Sequence, residues 1–92
     1  MIKLVKAVRA EAAPDHHLAL TFSDGSGGVL DLRPFVFDDG EVTQPLRDPN
    51  YFASVFLEMG VPTWPNGCDI DPTAARMDLK AAGRLQIGAD VA

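Results

Sequence analysis

A thiol and two carboxylates fall within four residues at Cys68-Asp69-Ile70-Asp71, and two imidazoles stand side by side at His16-His17. Cys68 is the single cysteine. It would serve as a nucleophile if a histidine approached and activated it. Nothing basic adjoins it, and the neighbouring Asp69 would raise its pKa, so a half-buried structural thiol is the simpler reading. Asp69 and Asp71 are two apart, so on an extended segment they share a face, as paired-carboxylate acid–base chemistry requires. Asp71 precedes Pro72, however, and a helix N-cap role accounts for it without catalysis. His16 and His17 fall at the start of a strand, where neighbours point to opposite faces. They cannot easily hold one metal ion, and no acid or histidine at helical spacing completes a zinc set. Asp24-Gly25-Ser26-Gly27-Gly28 has the glycines of a phosphate cradle, but no G-x-x-x-x-G-K pattern follows and no helix opens there. No catalytic, cofactor-binding or metal-binding residue is assigned, no cofactor is expected, and the balance leans away from an enzyme.

What remains is surface. Trp64 is the only tryptophan. It lies between prolines beside an Asn-Gly pair, as a core anchor or as an exposed contact, with the core favoured. Trp64, Asn66 and Asp69, with the acids Asp38, Asp39 and Glu41, form the candidate interaction or ligand surface. The net charge is −5 and unevenly spread. Residues 10–75 hold eleven acids against only Arg33 and Arg47, a balance of −9, between two mildly basic ends. Binding to nucleic acid needs Lys and Arg to displace counterions from phosphates, and this middle opposes it. An acidic surface suits a basic protein partner. Several acids have structural duties: Asp24 in a turn, Asp48 and Asp71 as helix caps.

These groups must be positioned by few elements. Ninety-two residues allow one modest core and one domain, spanning 1–92. Hydrophobic residues at 47% and charged residues at 23% argue against intrinsic disorder. No apolar run is long enough for a membrane span, and Lys3 and Lys6 interrupt the N-terminal apolar pattern, unlike a signal peptide. A cytoplasmic protein is expected. Residues 3–10 read as a strand, and Glu11-Ala12-Ala13-Pro14-Asp15 as a turn. His17 to Ser23 alternates, with Leu18, Leu20 and Phe22 on one face. After the glycines the alternation resumes at Val29 to Arg33, which predicts a β-hairpin. Pro34 to Phe37 is a short apolar piece, followed by an irregular connection with a short β bridge near Pro45-Leu46. Asp48-Pro49 starts a helix. Phe52, Val55, Phe56 and Met59 continue it as one apolar stripe, with Gly60 past its end. Asn66-Gly67 predicts a two-residue hairpin between a strand carrying Trp64 and one carrying Cys68 and Ile70. Asp71-Pro72 opens a last helix with Ala75, Leu79 and Ala82 on one face and Gly83 closing it. Residues 85–92 are weakly patterned, as a short strand or a partly ordered tail. The expected fold is α+β: a small antiparallel sheet built from two β-hairpins, plus two short α-helices.

The run Trp64-Pro65-Asn66-Gly67-Cys68-Asp69-Ile70-Asp71-Pro72 resembles the family called domain of unknown function 2442, with its Trp-Pro-Asn-Gly-x-Asp-aliphatic-x-Pro pattern. Leu20, Phe22, Asp24 and Gly25, then Asp31 and Leu32, resemble the family's strand, turn and Asp-Leu strand. Leu46 to Phe52 resembles its helix start. Nearly the whole chain is covered. The last helix departs from the pattern, with Ala75-Arg76 where many members have Leu-Tyr, which puts an aromatic contact there in doubt. The resemblance implies an antiparallel sheet with two helices and no established activity. Some relatives carry a C-terminal helix-turn-helix domain, which a chain of this length is not expected to hold. Others lie beside a second small protein in toxin–antitoxin-like pairs. The expected function is therefore a non-enzymatic protein-interaction module, pairing with itself or with a small protein partner. The alternative is a small-molecule-sensing domain with its pocket near Trp64 and Asp69.

Overall fold

The computed structural model describes residues 5–38 and 40–87. Three strands form one antiparallel sheet: β1 (Ala7–Ala13), β2 (His17–Phe22) and β3 (Gly27–Asp31), in that order. Two more form a separate hairpin, β4 (Phe56–Glu58) and β5 (Val61–Thr63). The helices are α1 (Arg33–Val36), α2 (Pro49–Phe52) and α3 (Pro72–Ala81), with 3-10 turns at Pro14–His16 and Gln44–Arg47. The architecture is α+β, as expected. Among the described residues, no helix is long and apolar enough to cross a membrane.

The β2–β3 hairpin follows from its alternation. Leu18 pairs with Leu30 and Leu20 with Gly28, and Leu18, Leu20 and Phe22 are buried. Asp24 accepts from the Ser26 N–H across the turn at 3.0 Å, the Asx geometry that makes Asp a turn former. β1 adds Ala10 opposite Leu20 and Ala12 opposite Leu18 on the same inner face. It runs through the expected turn cluster to Ala13, because pairing with His17 holds it and the reversal falls at Pro14–His16. In that reversal Asp15 and His16 both adopt positive φ, 60° and 57°, where non-glycine residues are uncommon.

The helix expected through Met59 ends at Phe52. Asp48 caps it as anticipated, its side chain accepting from Asn50 N–H at 3.0 Å. Continuing the helix would need the Phe52 carbonyl to accept from Phe56 N–H. That carbonyl accepts instead from Val55 N–H at 3.4 Å and from the Trp64 indole Nε1–H at 2.9 Å. The chain turns through Ala53–Ser54 and becomes β4. Phe56 and Met59 then lie outside the core, 44% and 87% exposed. Met59 and Gly60 carry φ of 51° and 82° and join β4 to β5 by a two-residue turn, in which both central residues need positive φ. A helix C′ position and this turn make the same demand on Gly60, so the glycine alone could not separate them.

The Trp64 hairpin also differs. The indole-bearing residue donates its backbone N–H to Cys68 O at 2.8 Å, and Gly67 N–H donates to Trp64 O at 2.9 Å. Pro65-Asn66-Gly67 is thus a three-residue loop in which only Gly67 takes positive φ, 89°. Pro65 fixes the first loop residue at negative φ, which rules out a two-residue Asn-Gly turn in favour of a type I turn closed by a left-handed glycine. Beyond it the pairing reduces to the Thr63–Asp69 bridge, since β5 gives its long side to β4. Pro34 to Val36 is helical. The Pro45-Leu46 piece is a 3-10 turn rather than a bridge, because Pro45 lacks the N–H a bridge would use and suits the first turn of a helix. In α3, Asp71 accepts from Thr73 N–H at 3.2 Å, and Ala75 and Leu79 are buried while Ala82 is exposed past the last turn. Of the C-terminal segment, Gln86 exchanges both backbone hydrogen bonds with Gly27; residues 88–92 lie outside the described residues.

The core is one cluster between the inner sheet face, α2, α3 and the β5 segment. Leu18, Val36, Leu46 and Trp64 are fully buried within it. The Phe52 and Trp64 rings lie 5.6 Å apart at its centre.

Candidate functional site

Trp64 is 0% exposed. Its ring fills the core and its only donor is used, so it presents nothing to a ligand or partner. Asn66 is exposed and its side-chain amide donates to Val42 O at 2.8 Å, tying the loop to the irregular connection. Asp38, Glu41 and Asp69 are exposed. Asp39 lies outside the described residues. The Arg47 guanidinium donates to Asp38 O at 2.8 Å, so the Asp38 backbone is held. Asp69 sits on a different part of the surface from this pair, beside Asp71 and α3.

Of the groups considered for chemistry, Cys68, His16, His17 and the capping Asp71 are occupied structurally, while Asp69 is exposed. Burial, and then the charge of Asp69, push the Cys68 thiol up from its ordinary pKa, the wrong direction for a nucleophile. His16 donates from Nε2 to the Arg47 carbonyl at 3.0 Å, and its ring meets Phe37 and Phe52 edge-on, each at 5.2 Å. His17 Nδ1 donates into the Pro14–Asp15 carbonyls at 3.2 and 3.0 Å. Among the described residues, no three of His, Cys, Asp and Glu gather as a metal-ligand set.

Two acids the sequence reading treated as surface or turn prove to be well held. The Arg33 guanidinium grips Asp31 through both carboxylate oxygens, at 2.9 and 2.8 Å, and holds its carboxyl well below the usual carboxylate range. The Ser26 hydroxyl, Ser26 N–H and Arg76 together lower the Asp24 pKa, with burial opposing them. Arg76 Nε reaches Asp24 at 3.0 Å and Ser26 Oγ at 3.1 Å from α3. Arg76 is thus a guanidinium clamp on the β2–β3 turn. No local pattern marked this contact, because 52 residues separate its partners.

The surface with the most shape is a groove between β3, α1 and α3. Its larger part, about 420 Å³, lies between Val29–Leu32 on one side and Asp78, Leu79, Ala82 and Arg84 on the other. A second cleft of about 250 Å³ shares Leu30, Leu32, Phe35 and Asp78 with it and runs on to Asp69, Ile70 and Asp71. The floor is apolar, and the rim carries Asp31, Asp69, Asp71 and Asp78 against Arg84. Asp69, Asp71 and Asp78 make no ion pair among the described residues.

The groove follows a strand edge left unpaired among the described residues. Gly27 spends its N–H and C=O on Gln86, away from β2, while Leu32 N–H donates back to His16 O. Antiparallel pairing alternates with a period of two, so Val29 and Asp31 turn their N–H and C=O outward like Gly27. The chain does not follow them: Arg84 N–H donates to Leu79 O instead of to the sheet. The sequence showed the strand but not this edge, which depends on where a segment 55 residues further on leaves the sheet.

No curated protein and no solved structure matches the chain. The family model described as "Protein of unknown function (DUF2442)" matches residues 7–74, which takes in every strand, the Trp-Pro-Asn-Gly loop and the start of α3. On that match, spread over most of its 92 residues, the chain belongs to the DUF2442 family.

Proposed function

We infer that the chain is a non-enzymatic protein-interaction module. The observation that carries this reading is the β3 edge at Val29 and Asp31, left unpaired beside an apolar groove with an acidic rim. An open edge offers main-chain donors and acceptors to another protein, and an adjoining groove takes side chains. The chemistry-bearing side chains other than Asp69, by contrast, are hydrogen-bonded or buried in ways that hold the fold. The small-molecule-sensing alternative has less behind it: of the two residues near which its pocket was expected, Trp64 is fully buried and Asp69 alone lines a cleft.

The test is light scattering over a range of concentrations, with affinity capture from native lysate of the source cells and mass spectrometry. A discrete complex, with itself or one small partner and burying roughly 1,000 Å² or more, is the expected result. A chain that stays monomeric at high concentration and captures nothing overturns the reading.

A further inference from the structure

We propose that the β3 edge accepts an extended, basic segment of a partner protein as an added strand, with that segment's apolar side chains entering the groove; the inference rests on the interaction-module reading and names the partner's chemistry. The edge is already half used in this way. Gln86 pairs with Gly27 as the first residue of a fourth strand. Antiparallel continuation of that pairing would place Arg84 opposite Val29. Arg84 turns away to Leu79, and the Val29 and Asp31 groups are left for another chain. A strand added there lies end to end with the Gln86 segment. Its side chains meet the apolar floor of Leu32, Phe35 and Leu79 and the rim beside it.

The rim decides what kind of strand. Asp69, Asp71 and Asp78 have no ion-pair partner among the described residues, and Arg84 is the one cation lining the two clefts. A segment alternating apolar residues with Lys or Arg satisfies both surfaces, and complementary charge speeds and orients its docking. A second copy of this chain does not. A two-fold interface places the same patch on both sides, so the acids would face each other, on chains that each carry −5. The other sheet edge is a poorer acceptor. β1 has a bulge between Ala7 and Arg9, a device that twists an edge away from partners.

The experiment titrates the isotope-labelled full chain with a synthetic heptapeptide alternating Val and Lys, followed by NMR, with a Val–Glu heptapeptide as control. The expected result is movement and slowed exchange of the Val29 and Asp31 amides with the Lys peptide, weakened by salt, and little response to the Glu peptide. Val29→Pro removes an N–H that the fold does not use, as edge positions tolerate. It should weaken binding roughly fivefold or more while the β2 amides stay in place. Asp78→Lys, on the α3 surface, keeps the test open should the proline variant fold poorly. It should weaken the Lys peptide and strengthen the Glu peptide. Unmoved Val29 and Asp31 amides, or equal binding of both peptides, overturn the proposal. So does a shift at these amides that grows with protein concentration alone, because the occupant is then a second copy. A lysate complex that survives both substitutions overturns this inference and leaves the interaction-module reading standing.

Discussion

The Trp64 indole both fills the centre of the core and fastens the end of the helix beside it. Its Nε1–H donates to the Phe52 carbonyl at 2.9 Å, which also accepts from Val55 N–H at 3.4 Å. Trp64→Phe keeps an aromatic ring at the site but leaves this carbonyl with the longer Val55 bond alone. Loss of the indole hydrogen bond costs about 1 kcal/mol, and the smaller ring adds a packing loss. Trp64→Ala should cost more, roughly 3–5 kcal/mol, from the cavity it leaves. Urea unfolding followed by circular dichroism measures both, since the variants lack the fluorophore. A Trp64→Phe chain as stable as the parent would show that the indole hydrogen bond contributes nothing to the fold. His16 is held by similar means, through the Arg47 carbonyl and two aromatic edges. Its identity is explained by packing across the turn rather than by acid–base work.

At the scale of elements, α3 is fastened to the sheet by contacts far apart in sequence. Val5 N–H donates to Thr73 Oγ1 at 3.3 Å near the start of the helix, and Arg76 clamps Asp24 and Ser26 in the β2–β3 turn. The Asp24 pKa is lowered in the fold, by the Ser26 hydroxyl first and by Arg76 among the lesser causes. A group whose folded pKa lies below its unfolded value, about 3.9 for Asp, stabilises the fold above that value. The contribution disappears as pH falls through the lower, folded pKa. Arg76→Met should therefore destabilise the chain at neutral pH, and the gap from the parent should close as the solution is acidified below about pH 4. Thermal melts across that range test this, and a gap independent of pH would assign the loss to packing alone. The sequence made some elements legible because their signals are local. The β2–β3 alternation, the Asp48 and Asp71 caps and the Gly83 stop needed no distant partner. The α2 extension failed because Phe52, Val55, Phe56 and Met59 fit a helical stripe. The chain tightens instead, with Ser54 N–H donating to Tyr51 O and Val55 N–H to Phe52 O, and an indole twelve residues on fastens that end.

At the scale of the molecule, the −5 charge is divided between structure and surface. Asp24 and Asp31 are bound by arginines, and Asp48 and Asp71 cap helices. Asp69, expected in the sequence to face a partner or ligand, lines the groove, and Trp64, read as core anchor or exposed contact with the core favoured, is core. The groove was not legible, because it exists only where α3, α1 and the β3 edge converge and where the chain after α3 reaches the sheet at Gln86 rather than at Arg84. The same topology makes a prediction about local stability. β2 is the central strand, so its amides are paired on both sides: His17, Ala19 and Thr21 toward β1, and Leu18, Leu20 and Phe22 toward β3 and its turn. By the same alternation Ala10 and Ala12 in β1, and Val29 and Asp31 in β3, turn their N–H groups to the outer edges. Amide protection follows hydrogen bonding and burial rather than strand membership. Native-state hydrogen exchange should therefore show the β2 amides as the slowest in the sheet. Val29 and Asp31 should exchange quickly despite lying in a strand, while Gly27 is slowed by its bond to Gln86. Protection at Val29 and Asp31 equal to that of Leu18 and Leu20 would mean that the β3 edge is already covered in the free chain. The proposed strand addition would then have no vacant site.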